Sequence, residues 1–225
     1  MKKKVFCLII FILCIFKIVA AQSYQALRDS LSAATEALSY KPDSLDLRLK
    51  KASWNILLEQ WQYAQEEYDY VLRHDPNNIA ALFYRAYVNE KQNRYNFARL
   101  DYESLINIVP FHFEARLGLA LLNHKDRHLT EAMDQINKLV ELYPDSAVAY
   151  AARAGMELDR KMLEPAEFDY SKAIALDPSN IDYRLNRANI RINLKRKDEA
   201  CEDLDFLVRQ GIPRANLMEY YQKCK

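Results

Sequence analysis

The chain has 225 residues, 32 Lys plus Arg against 31 Asp plus Glu, half of its residues hydrophobic and only 3 Gly; this excludes a disordered or collagen-like chain and allows a real core. Near-neutral charge argues against nucleic acid as the partner, because that affinity rests on clustered Lys and Arg neutralising phosphates. Gly118, Gly155 and Gly211 stand too far apart to build a phosphate-cradling loop or a dinucleotide fingerprint, which removes most nucleotide enzymes.

The first element in chain order is a targeting segment. Lys2, Lys3 and Lys4 precede an apolar run from Val5 to Phe16, and Val19, Ala20 and Ala21 place small side chains where a signal peptidase needs them. Residues 1–21 are expected to be a cleaved signal peptide, with Gln22 as the mature N-terminus. The alternative is an uncleaved anchor, for which the run is short and interrupted by Lys17. Lipid attachment is a third reading, weakened by Phe6 and Leu13 standing before Cys7 and Cys14, where a small residue is usual. Cleavage removes four lysines and no acid, leaving 28 basic and 31 acidic residues and a formal charge of −3. No second hydrophobic span follows, so no membrane insertion is expected after cleavage. The absence of an Asn-x-Ser or Asn-x-Thr sequon suits a bacterial envelope. The expected location is the periplasm or cell envelope, with secretion as the alternative.

The rest of the chain is periodic. Pro42, Pro76, Pro110, Pro144 and Pro178 are 34 residues apart. On the same register lie Ala52, Ala86, Ala120, Ala154 and Ala188, and twelve residues after each come Ala64, Ala98, Ala132, Ala166 and Ala200. One small residue on each of two helices is what close helix packing demands, since axes approach to about 8 Å only where side chains do not intervene. Ser44, Asn78, Ser146 and Asn180 follow the prolines by two residues and are expected to cap the first helix of each unit. Asn96, Thr130 and Asp198, with Pro165 in the equivalent first turn, are expected to start the second helices.

A 34-residue helix-turn-helix unit with small residues at fixed columns and a closing Pro resembles the tetratricopeptide repeat. The resemblance implies an all-α, right-handed α-solenoid of five units, over residues 45–78, 79–112, 113–146, 147–180 and 181–214. An N-terminal half-repeat helix in 22–44 precedes them and a C-terminal capping helix in 215–225 follows. The family's large aromatic early in the first helix is replaced by Arg48, Leu82, Arg116, Tyr150 and Arg184, while its later column is kept as Tyr68, Tyr102, Ile136, Tyr170 and Leu204. A cation column of Lys51, Arg85, Arg153 and Arg187 stands sixteen residues before an acid column of Glu67, Asp101, Asp169 and Asp203. Both charges vanish together at Leu119 and Gln135, which predicts pairing within each unit.

Members of this family bind extended or helical peptides on the concave surface lined by first helices. The Lys, Asn and Arg clamp that some members use for a terminal carboxylate is replaced here by Leu49, Phe83, Leu117, Ala151 and Leu185, then Ser53, Tyr87, Leu121, Gly155 and Asn189. The expected peptide groove is Leu49, Phe83, Tyr84, Tyr87, Leu117 and Leu121. Cys201 and Cys224 are the only cysteines left after cleavage and are expected to form a disulfide that seals the capping helix. His124 and His128 flank Asp126, yet they fall at a helix end and a turn, where a solvated polar segment is the stronger reading than a metal site. No nucleophile elbow, metalloprotease helix or kinase signature occurs, so no catalytic residue, cofactor or metal is assigned. The expected function is an exported, non-catalytic scaffold binding a protein or peptide. The alternative is an accessory subunit with an unrecognised hydrolytic or metal-dependent activity.

Overall fold

A computed structural model describes residues 24–224; the expected signal segment and Gln22 lie outside the described residues. The described chain is all-α, of the α-solenoid class. It begins with α1, helical through residues 24–40. Five helix-turn-helix pairs follow: α2 (Leu45–Leu57) with α3 (Trp61–His74), α4 (Ile79–Lys91) with α5 (Tyr95–Ile108), α6 (Phe113–Lys125) with α7 (Leu129–Leu142), α8 (Ala147–Asp159) with α9 (Leu163–Leu176), and α10 (Ile181–Asn193) with α11 (Lys197–Arg209). A 3-10 turn over Arg214–Leu217 and the short α12 (Met218–Cys224) close the chain. None of the described helices is long and apolar enough to cross a membrane. The helices form two compact units, one ending at Pro110 and the other beginning at Phe111.

Each first helix starts the way its sequence asks. Ser44, Asn78, Ser146 and Asn180 are extended N-cap residues whose side-chain oxygens accept from the backbone N–H three residues on, at 3.4, 3.0, 3.2 and 3.3 Å. His112 fills the same place in the remaining repeat, its Nδ1 accepting from the Ala115 N–H at 3.2 Å. The second helices start differently from expectation. Their N-cap residues are Gln60, Arg94, His128, Met162 and Arg196, with no side-chain cap bond. Asn96, Thr130 and Asp198 stand one position inside the helix instead.

The backbone explains this. Glu59, Asn93, Arg127, Lys161 and Lys195 have φ between 55° and 65°, and each donates its N–H to a carbonyl three residues back. The next residue donates five back, at 2.8 to 2.9 Å, to Asn55, Asn89, Asn123, Glu157 and Arg191. This is a Schellman closure of the first helix, and it sets the corner before any cap is needed.

All ten grid alanines are fully buried, as are Ala81, Ala115 and Ala149 on the first helices. Around them pack Tyr68, Tyr102, Ile136, Tyr170 and Leu204 from the second helices, all buried. In two of the three repeats where Arg replaces the early aromatic of the first helix, the guanidinium lies over a ring of the second helix. That of Arg48 lies 3.4 Å from the Tyr70 ring centre and that of Arg184 3.6 Å from Phe206, at equivalent positions of the first and fifth repeats.

The charge columns pair within each repeat. Lys51 Nζ meets Glu67 at 2.6 Å. Arg85, Arg153 and Arg187 each grip Asp101, Asp169 and Asp203 with two nitrogens at 2.6 to 3.0 Å. These carboxylates are buried. The third nitrogen reaches the preceding second helix, to Asp69 at 2.7 Å, Asn137 at 3.2 Å and Ser171 at 3.0 Å. One arginine therefore fastens its own hairpin and the repeat before it. In the uncharged repeat, Leu119 is buried and Gln135 accepts from Asn123 at 2.9 Å.

Candidate functional site

In the first unit an apolar cavity of 260 Å³ opens on the first-helix face. Leu49, Ile56 and Leu57 of α2 and Ala80 of α4 supply its apolar wall; Ser53, Tyr68 and Tyr84 supply the rest. The helical period places Leu49, Ser53, Ile56 and Leu57 on one face of α2. Leu57 and Tyr84 are about half exposed, at 56 and 46 %. The Tyr84 ring stacks on Tyr68, 6.2 Å between centres, and meets Phe83 edge-on at 5.3 Å.

Tyr68 is the floor. It is buried, its hydroxyl has no hydrogen-bond partner among the described residues, and burial followed by the neighbouring Tyr84 pushes its phenol upward, so it is neutral at any working pH. No Asp, Glu, His, Lys or Arg lines the cavity. The arrangement can bury apolar surface; it offers no acid, base or nucleophile matched to neutral pH.

The expected groove residues divide. Leu49 and Tyr84 line the cavity. Phe83 and Tyr87 are half-buried and spend their rings inside the unit, Phe83 against Tyr102 at 6.1 Å and Tyr87 against Trp61 at 6.1 Å. In the second unit Leu117 packs against the cluster of Ala120, Ala132 and Ile136, whereas Leu121 is exposed. Sequence reasoning missed Ile56 and Leu57, which sit just before the left-handed corner, and Tyr68, which reads as ordinary core of a second helix.

The expected Cys201–Cys224 disulfide is absent; both are free thiols. They do pack together with Leu204, Leu217 and Tyr221. Burial, then a hydrogen bond to Cys201, pushes the Cys224 thiol up to about 12, which keeps it protonated and unreactive. The histidines are dispersed: His124 faces Asp159 at 3.5 Å and His128 faces Asp126 at 3.4 Å. Among the described residues no group of three or more His, Cys, Asp and Glu is placed to hold a metal.

A tetratricopeptide repeat model matches residues 114–146. Human protein O-mannosyl-transferase TMTC3 is 35% identical over 98 residues, 42% of this chain and a tenth of that protein. Among solved structures, a tetratricopeptide repeat protein of Parabacteroides merdae superimposes with a TM-score of 0.66 at 21% identity, covering 89% of this chain and 78% of its own. Pseudomonas aeruginosa pilF gives 0.68 at 18% identity over 91% of both chains. YrrB, described as having an unusual peptide-binding site, gives 0.58 at 18% identity over 78% of this chain and 91% of its own. The fold is that of a tetratricopeptide repeat protein.

Proposed function

We propose that this chain is an exported, non-catalytic scaffold of the cell envelope that binds a protein or peptide through the first-helix face of its first unit. The observation that carries the reading is the apolar cavity with Leu57 and Tyr84 exposed at its rim and no charged residue in its wall. At 260 Å³ it falls below the range of about 300 to 1,000 Å³ usual for small-molecule sites, and it suits one large apolar side chain of a partner. Half-exposed aromatics beside such a cavity are the anchors that dominate protein interfaces. The peptide-binding site of the similarly folded YrrB supports the partner class. Leu121, exposed on α6, offers a separate apolar contact on the second unit. Export rests on Lys2 to Lys4, the apolar run and Ala20 and Ala21.

The test is site-specific photo-crosslinking in the native envelope, with the photoreactive residue at position 57 on the first-helix face or at the exposed Tyr63 of α3. A discrete adduct from position 57 alone, lost when Tyr84→Ala is added, is expected. Adducts only from position 63, unaffected by Tyr84→Ala, would move the site to the second helices. N-terminal sequencing of the envelope fraction should begin at Gln22; a chain beginning at Met1 in the membrane fraction would make the segment an anchor.

A further inference from the structure

Repetition inside one chain makes an unusual residue visible. Residues 55, 89, 123, 157 and 191 form a column near the end of the first helices, occupied by Asn55, Asn89, Asn123, Glu157 and Arg191. In three repeats the side chain donates to the acid-column residue of the second helix. Asn89 donates to Asp101 at 3.1 Å, Asn123 to Gln135 at 2.9 Å, and Arg191 to Asp203 at 2.9 Å. In those repeats the position supplies an N–H donor to the acid-column acceptor, whereas the Asn55 Nδ2 finds no partner among the described residues. Glu157 has no donor to offer when ionised.

Glu157 is nonetheless buried, 7 % exposed, at the position whose counterparts in three repeats reach the acid column, filled here by Asp169, itself 1 % exposed. Its Oε2 has no hydrogen-bond partner among the described residues. Compensating charge is already committed. Arg153 of α8 uses two nitrogens on Asp169 and its third on the neutral Asn137 of α7. From α10, Arg187 bonds Asp203 and Ser171, and Arg191 bonds Glu167, Glu199 and Asp203. Asp169 thus takes both strong contacts of the one nearby arginine, which leaves the buried Glu157 carboxyl without a counter-charge of its own and disfavours its ionised form.

We infer that Glu157 carries a proton and donates it to the Asp169 carboxylate, so that α8 and α9 are joined by a carboxylic acid bonded to a carboxylate, a fastening that neutral-to-alkaline pH releases. Protonation lets Glu157 do what Asn89 and Asn123 do with an amide. Burial first, then the charge of Asp169, push Glu157 up to about 7, with Arg153 acting in the opposite sense. The sign follows from linkage. The folded repeat holds a proton that the unfolded chain releases near the ordinary value of 4.5, so this contribution is complete below that pH and is lost as pH rises to about 7. The joint therefore sits at its midpoint near neutrality, where modest acidification tightens the second unit and alkalinity loosens it.

The test uses the full mature chain. Carbon-13 NMR of the Glu157 side-chain carboxyl is expected to titrate with a midpoint near 7; a midpoint near 4.5 would overturn the inference. Amide-exchange protection of α8 and α9 is expected to fall between pH 5 and pH 8 in the wild type and to stay level in Glu157→Gln, which donates at every pH. Equal pH dependence in the two proteins would also overturn it. The NMR titration needs no variant, so it decides the matter even if Glu157→Gln fails to fold.

Discussion

At the scale of single residues, the five corners between paired helices hold a left-handed residue that is never glycine. An L-residue there costs roughly 1 to 2 kcal/mol, and Asn tolerates the conformation better than Lys or Arg. Lys161→Gly should therefore raise stability by about 0.5 kcal/mol or more, after allowing for glycine's larger unfolded-state entropy. Asn93→Gly should gain less, and chemical denaturation of the two variants side by side checks the difference. Gly211, at φ 96°, makes the same closure at the end of the second helix α11. The cysteines make a second residue-scale prediction. Unfolding a chain that begins at Gln22, without reductant, should expose two titratable thiols, with Cys224 unreactive before unfolding because it is buried and protonated. A count of none would restore the disulfide.

Helix pairs meet through the alanines and are tied by the arginines. Ala120→Leu adds three carbons to a side chain with no exposed surface, and overpacking of that kind costs about 1 to 3 kcal/mol. An unchanged melting temperature would show that α6 and α7 do not depend on that contact. The ion pairs are a different case from exposed pairs, which are worth about 0.2 to 1 kcal/mol. Asp169 is buried, so Arg153→Met would strand its carboxylate at a cost of roughly 3 to 5 kcal/mol. The double variant with Asp169→Leu should recover much of that loss, and failure to recover it would mean that the arginine acts mainly through Asn137. These ties, spaced every 34 residues, also explain the uncharged repeat. With Leu119 in place of the cation, Gln135 needs only the neutral donor Asn123.

For the molecule as a whole, the C-terminal end of the second unit must be sealed, because a repeat stack leaves its last apolar face open. The seal continues the grid: Tyr221 stands 34 residues after Arg187, and its hydroxyl donates to Asp205 of the preceding second helix at 2.5 Å, as the arginines do in earlier repeats. Leu217, Tyr221 and Cys224 cover Ala188, Leu204 and Leu207. Deleting residues 214–225 should lower the unfolding temperature and increase binding of an apolar dye. No change in either would mean that α11 needs no cover. Under the proposed reading the partner sits on the first unit, so Tyr84→Ala should weaken a captured partner by about 2 kcal/mol. The melting temperature should stay nearly unchanged, because Tyr84 is half exposed.

The repeat, its buried alanines, the first-helix caps and the within-repeat charge pairs were legible in the sequence because each depends on neighbours at a fixed offset: three residues for a cap, sixteen for a pair, 34 for the stack. His112 shows the limit of reading by residue type, since its imidazole nitrogen replaces the usual cap oxygen. The starts of the second helices were misread because a backbone corner, with no side-chain signature once glycine is replaced, does the work of a cap. Only tertiary structure decided which groove residues stay available. Phe83 and Tyr87 resemble Tyr84 in the sequence, but neighbours from other helices claim their rings, while Leu57 and Tyr68 come from different helices to complete the cavity with Tyr84. The environment of Glu157 was likewise invisible beforehand, because a carboxyl group's proton is set by burial and by which charges surround it, and both arise only when the helices pack.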